Sequence, residues 1–286
     1  MHPYLINTVT GCTTAFGCIR IVIPVYPLFA LLGILAAGAV YLFLQRDRSR
    51  KIVAHILFFA VVLITGLVGS KVGQFFIDPA LHFRGSGLTV TGGILVSTGV
   101  IFLYGIVDPH RVVSWHTIDS IAVAFPFGHA LGRVGCYFAG CCYGKETHRH
   151  FFSCTYPENW IVNTASDVFV SPGPRIASPL LSALGLLLLG LVLLTVFRKM
   201  KKRGLVTALY FLLYAPLRFG LEMTRDDAGR GFFGPFSTGQ WFSFFAFGLG
   251  LFFLLYFLKR DRTGLADPPF LPLNGKEPRE RDAFEP

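Results

Sequence analysis

The chain has 286 residues, 53% of them hydrophobic and only 15% charged, and its mean hydropathy of +0.57 marks a polytopic membrane protein and excludes an ordinary soluble domain. The formal net charge of +10 is dispersed over short turns with no aromatic-studded basic surface. It argues against nucleic-acid binding and for attraction to anionic lipid headgroups.

In chain order, the first 20 residues carry no basic start before an apolar run, which reads as mature chain with no cleaved signal. Seven apolar stretches follow, near 21–44, 52–77, 91–107, 117–138, 179–197, 205–222 and 237–258, each able to form a spanning helix of about 20 residues. The expected fold is therefore all-α, with seven transmembrane helices. Basic residues follow the odd-numbered helices: Arg46, Arg48, Arg50 and Lys51 after the first, and Arg111 after the third. Arg198, Lys199, Lys201, Lys202 and Arg203 follow the fifth, and Lys259, Arg260 and Arg262 the seventh. Because Lys and Arg in short loops stay cytoplasmic, the amino terminus is expected outside and the carboxyl terminus inside. Residues 1–263 form one membrane domain with an outer loop at 139–178. The proline-rich, mixed-charge tail 264–286 is expected to be disordered in the cytoplasm.

The run Gly-His-Ala-Leu-Gly-Arg-Val-Gly-Cys-Tyr-Phe-Ala-Gly-Cys-Cys-Tyr-Gly at 128–144 sets Arg133 inside an apolar, glycine-rich span. A cation at the centre of a spanning helix costs ~2.5 to 3.5 kcal/mol on insertion scales, so it persists where it binds something or lines a path. Lys71 and Arg218 fall at a similar depth, within roughly 9 Å of the outer interface at 1.5 Å per residue. Two guanidiniums and an ammonium in one leaflet suit a phosphate; the bland alternative is that each side chain snorkels to the headgroups. Gly66, Gly69 and Gly73 flank Lys71, and Gly128, Gly132 and Gly135 flank Arg133, spacings that let helix backbones approach. Glu222 stands one turn after Arg218 and three residues before Arg225, placed either for a helix-end salt bridge or for a catalytic role.

These residues resemble the bacterial prolipoprotein diacylglyceryl transferase family from about Tyr26 to Leu258. Pro126-Phe127-Gly128, Gly132-Arg133-Val134-Gly135, Phe138 and Gly140 are similar to the family's signature around its essential arginine. Tyr214, Arg218, Phe219, Glu222 and Arg225 are similar to its second arginine and the carboxylate after it. Shorter elements match at Tyr26, at Gly92-Gly93 and at Gly239-Gln240. The resemblance implies a seven-helix enzyme of the bacterial inner membrane that moves diacylglyceryl from phosphatidylglycerol to the cysteine thiol of a prolipoprotein, with no cofactor or metal. It also implies catalytic roles for Arg133 and Arg218, and substrate contacts from Lys71, Tyr26, Thr91, Gly92, Gly93, Arg225 and Gln240.

The chain departs from the family at chemically pointed places. Where the family has Gly-Asn-Phe-x-Asn-Gly-Glu after the arginine, Gly135-Cys136-Tyr137-Phe138-Ala139-Gly140-Cys141 stands here, and the family's His-Gly-Gly is Thr91-Gly92-Gly93. Its helix-two arginine is Lys71, and its His-Pro-Ser-Gln-x-Tyr-Glu stretch is matched only by the unlike Ile176-Ala177-Ser178-Pro179. The reaction needs a leaving phosphate stabilised as charge develops and an acceptor thiol made into a thiolate. His129, one turn before Arg133, and Glu222 are the candidate bases. The competing reading is a non-catalytic membrane protein that keeps the fold and an anionic-phospholipid site; a transporter fits poorly, because the charges occupy one leaflet.

Six cysteines, Cys12, Cys18, Cys136, Cys141, Cys142 and Cys154, map to the outer face or its membrane edge. An oxidising compartment favours disulfides, so at least one bond is expected among Cys136, Cys141, Cys142 and Cys154. A metal site joining these thiols to His148 or His150, a redox-active thiol pair, and unpaired packing cysteines remain the alternatives.

Overall fold

The computed structural model describes residues 4–13, 17–46, 52–77, 90–107, 113–147, 152–156, 161–163, 168–169, 173–200, 202–226 and 232–262. Seven helices carry the fold among them: α1 (Val25–Gln45), α2 (Ile52–Ile77), α3 (Val90–Val107), α4 (Trp115–Ala139), α5 (Ser178–Lys199), α6 (Leu205–Thr224) and α7 (Thr238–Arg262). Five of them, α1, α2, α5, α6 and α7, are long and apolar enough to cross a membrane. Leu31, Leu35, Leu57, Ile64, Leu188 and Phe245 are among their exposed side chains, as expected for surfaces solvated by lipid.

An all-α reading needs correction at the start of the chain. Strands β1 (Tyr4–Thr13) and β2 (Gly17–Pro24) pair antiparallel, with Cys12 opposite Cys18 in the register. The β-branched residues Thr8, Val9, Thr10, Ile19, Ile21, Val22 and Ile23 favour a pleated surface, so α1 begins at Val25, later than the apolar run itself. Three further two-stranded ladders lie in the connections: β3 (Ser153–Tyr156) with β6 (Gly173–Ile176), β4 (Ile161–Asn163) with β5 (Val168–Phe169), and β7 (Phe232–Phe233) with β8 (Phe236–Ser237). The tail beyond 262 lies outside the described residues.

α4 is the central element, packed on α1, α5 and α6. Its crossing with α1 is as close as backbones allow, since a Cβ on Gly33 would stand 2.6 Å from the Gly128 carbonyl oxygen. The main core gathers Val123, Leu186, Leu189, Leu193, Val206, Tyr210 and Tyr214 from α4, α5 and α6. α2 and α3 form an outlying pair, joined where Gly92 meets the Gly69 carbonyl and the Gly73 backbone.

At one end of the bundle a buried carboxylate holds two helices together. α6 starts after Gly204, a left-handed residue (φ 87°) with no side chain to cap the exposed amides. Asp119 of α4 does so from across the interface: Oδ1 accepts from the Thr207 amide (2.9 Å) and hydroxyl (2.6 Å), and Oδ2 accepts from the Gly204 amide (2.6 Å). Basic residues collect at this same end, where Arg46 and Arg198 both stand over the Phe43 ring, at 5.2 and 5.9 Å. The opposite end carries the long connection between α4 and α5.

Candidate active site

Arg133 lies one turn beyond His129 on α4, and the helical spacing places the two side chains together. Arg133 Nε donates to His129 Nε2 at 3.2 Å. Because a guanidinium N–H can only donate, His129 is a neutral imidazole with its proton on Nδ1, a buried atom with no hydrogen-bond partner among the described residues. The Nε2 lone pair is occupied and Nδ1 already carries a proton, so this arrangement leaves His129 nowhere to take a proton from a thiol. It orients Arg133 instead. The other end of the guanidinium, Nη1, reaches Cys142 Sγ at 3.7 Å.

The second arginine comes from α6. Arg218 Nη2 pairs with Glu222 Oε2 at 2.8 Å, and Arg225 Nη1 approaches the same oxygen at 3.5 Å. The Glu222 side chain is 3% exposed, so the carboxylate is committed to two guanidiniums and does not face solvent as a free base. Gly239, at the start of α7, makes this possible: a Cβ there would stand 2.8 Å from Glu222 Oε2 and 2.9 Å from Arg218 Nη2.

Between α4, α5 and α6 lies a small, partly open cavity of about 10 Å³ lined by His129, Arg133, Ser182, Leu186, Tyr214, Leu217, Arg218 and Leu221. Both arginines reach it from separate helices. Arg218 and Arg225 both approach Glu222, while Arg133 and Arg218 meet at the cavity, where two guanidiniums suit an anion.

The end of α4 turns three thiols toward Arg133. Gly140 adopts the left-handed conformation (φ 72°); its amide donates to the Tyr137 carbonyl and the Cys141 amide to the Cys136 carbonyl, both at 3.1 Å. This is a Schellman closure, which brings the residue three from the helix end against the second residue past it, here Cys136 against Cys141. Cys142 is itself left-handed (φ 56°), an uncommon state for a residue with a Cβ, and its sulfur joins the other two, all within 4.8 Å of one another. Thiol hydrogen bonds from Cys136 and Cys141, with Arg133 nearby, hold Cys142 well below the ordinary cysteine pKa, and the same contacts push Cys141 up.

Cys136, Cys141 and Cys142 are thiols, and among the described residues no disulfide joins any of the four candidates. Cys154 belongs elsewhere, on β3 in a small cluster with Tyr143 and Ala177. The loop is tied instead by Arg175, whose guanidinium bonds Glu146 (2.9 Å), Asp226 (3.2 Å) and the Gly144 carbonyl (3.3 Å) and stacks on Tyr143. His148 and His150 lie outside the described residues.

The model of the prolipoprotein diacylglyceryl transferase family matches residues 13–256. This chain belongs to that family. It is 29% identical over 234 residues to phosphatidylglycerol–prolipoprotein diacylglyceryl transferase 2 of Clostridium perfringens, an alignment covering 78% of this chain and 87% of the relative. The Clostridium tetani phosphatidylglycerol–prolipoprotein diacylglyceryl transferase is 29% identical over 240 residues (79% and 90%), and that of Streptococcus pneumoniae serotype 4 is 30% identical over 173 residues (59% and 62%). It is accordingly a multi-pass membrane protein of a bacterial inner-membrane family.

The other residues implied by the family resemblance divide into two groups. Tyr26 packs against Gly135 and stands within electrostatic reach of Arg133 and the three thiols, and Arg225 joins the Glu222 cluster. Lys71 does not line the cavity, because α2 packs chiefly against α3 and α1. Gly92 and Gly93 are spent on the same α2–α3 crossing, and the Thr91 side chain lies outside the described residues. Gln240 serves in a capping box: its Oε1 accepts from the Ser237 amide (3.0 Å), while the Ser237 hydroxyl accepts from the Gln240 amide (3.2 Å). Sequence reasoning missed Ser182 as a cavity-lining residue and Arg175 as the buried tie of the loop; a lone Ser in an apolar helix and an Arg in a polar loop give no local signal of either role.

Proposed function

We propose that Arg133 and Arg218 clamp the phosphate of phosphatidylglycerol in the cavity between α4, α5 and α6. The chain is a phosphatidylglycerol-dependent transferase of lipoprotein maturation, moving diacylglyceryl to the cysteine thiol of a prolipoprotein. The observation that carries the clamp is the meeting of the Arg133 and Arg218 guanidiniums, from two facing helices, at one small cavity. In the reaction the acceptor thiolate forms a C–S bond to the glyceryl carbon while the C–O bond to phosphate breaks, and glycerol phosphate leaves with the electron pair on oxygen. His129 and Glu222 hold the two guanidiniums in place beforehand, so that developing charge meets preorganised donors.

All seven helices cross the membrane in this reading, with the site and the 139–178 loop at the outer face. The amino terminus is outside, residues 1–263 form one membrane domain, and the tail 264–286 is cytoplasmic. Support comes from α4, whose polar residues Asp119, Ser120 and Arg133 turn toward neighbouring helices, and from the basic residues gathered at the end opposite the site. Complementation of a strain depleted of its own diacylglyceryl transferase, read by the lipid content of a test lipoprotein, checks the activity. Rescue by the native chain and failure of Arg133→Lys are expected; equal rescue by both overturns the clamp.

A further inference from the structure

The clamp leaves one chemical need unmet. A thiol must lose its proton before it attacks, yet the two groups placed to take that proton are both engaged: His129 by Arg133 Nε and Glu222 by two guanidiniums. Beside Arg133, where the family pattern has Asn and Glu, three sulfurs converge within 4.8 Å of one another. They come from a Schellman closure and a left-handed Cys142, an uncommon conformation for a residue with a Cβ that aims the third sulfur at the other two.

We propose that Cys136, Cys141 and Cys142 bind a zinc ion with its fourth position open, and that the acceptor's cysteine occupies that position as a metal-bound thiolate. The chemistry of the donor set fits. Three thiolates are soft ligands that select a thiophilic d10 cation, and zinc sites with three protein ligands keep a position for water or substrate. Zn–S bonds of about 2.3 Å at tetrahedral angles set sulfurs about 3.8 Å apart, so the three need draw together by about 1 Å at most from their present separation. Three thiolates on Zn²⁺ carry one net negative charge, and Arg133 Nη1 already lies 3.7 Å from Cys142 Sγ to balance it. The guanidinium that grips the lipid phosphate thus also touches the ligand set, which brings the metal-bound thiolate and the glyceryl carbon to adjacent positions. On binding zinc the acceptor thiol releases its proton to water; the sulfur then forms the C–S bond as glycerol phosphate departs, and the thioether, a weaker ligand, leaves the metal.

The inference rests on the transferase reading, and its test separates the two. Full-length protein purified with zinc in the growth medium should hold about one zinc per chain by mass spectrometry, falling by ~10-fold or more in Cys136→Ser and Cys142→Ser but not in Cys154→Ser. Cobalt-loaded native protein should show a sulfur-to-cobalt charge-transfer band that shifts when a lipobox peptide is added and stays put with its Cys→Ser analogue. Phosphatidylglycerol binding, measured separately, should survive Cys142→Ser and fail in Arg133→Lys. A protein without zinc or cobalt affinity, or a Cys136–Cys141 or Cys136–Cys142 disulfide in native membranes, overturns the metal and leaves the clamp standing. Metal binding with a band indifferent to the peptide overturns the acceptor role. Loss of lipid binding in neither variant overturns the clamp itself. The cobalt spectrum of the native protein keeps the question open to decision even if the serine variants fail to fold.

Discussion

The two ends of α4 each hold a charge, Asp119 buried and Arg133 half-buried, and they hold it in opposite ways. Asp119, 2% exposed, receives three hydrogen bonds from α6 and carries no surplus: its oxygens are matched to the amides and hydroxyl that need an acceptor. At the far end Arg133 meets a neutral imidazole and a thiol, and Arg218 shares its one carboxylate with Arg225. A buried charge whose partners all lie within the protein builds the fold. A guanidinium that meets only a neutral imidazole and a thiol among the described residues, beside a cavity, is placed to take a ligand.

If that contrast is right, the two ends respond differently to removal of charge or geometry. The largest effect is expected at Arg133. Replacing a planar fork by a point charge in Arg133→Lys should lower phosphatidylglycerol affinity and transfer rate by ~10- to 100-fold, matching about 1.5 to 3 kcal/mol for a charge-assisted contact, with little change in thermal stability. Arg218→Lys should behave alike. Lipid-binding and turnover assays at equal folded protein check this, and a Lys variant indistinguishable from native would erase the distinction between the two ends.

Next comes His129. As the acceptor that orients Arg133, it should be replaceable in part by Gln, whose carbonyl oxygen can receive the same Nε–H, whereas His129→Phe should lose ~10-fold in rate. A general base behaves otherwise: both variants would be equally impaired, and the acid limb of the pH–rate profile would vanish in each. At the other end, Asp119→Asn should leave lipid binding near native and reduce stability by about 1 to 2 kcal/mol, because the amide cannot accept at both former carboxylate oxygens. A lowered Tm in detergent with unchanged lipid affinity is the expected pair of readings.

How far these features were readable in advance differs by kind. Helix existence follows from long apolar runs, which is why all seven helices fall close to their expected places. The hairpin of β1 and β2 was hidden because its apolar β-branched residues read equally well as the start of a span. Arg133 and Arg218 stand out in sequence because charge is costly in an apolar helix. The state of His129 does not, since it depends on which arginine nitrogen points at which imidazole nitrogen. The thiol cluster required two left-handed residues, and only Gly140 announces that conformation; nothing in the chain marks Cys142 for it. Gln240 shows the reverse case: Ser237 and Gln240 at capping-box spacing were legible as a helix start, and the family resemblance drew attention to the ligand reading instead.

The smallest effect is expected at Lys71, and it tests how far the charged site extends. Sequence depth alone placed this lysine beside the two arginines, but depth along the membrane normal does not set lateral position. α2 lies on the α3 and α1 side of the bundle, held to α3 by the interlocked backbones of Gly69, Gly73 and Gly92, and Lys71 lines no part of the cavity. A long side chain there can carry its ammonium toward headgroups without facing the phosphate bound between α4 and α6. Lys71→Met should therefore keep phosphatidylglycerol affinity within about twofold of native, the range of an ordinary surface change. A loss as large as that of Arg133→Lys would mean that α2 closes onto the site when lipid binds, and the line between a structural outer pair of helices and a chemical core would have to be redrawn to include it.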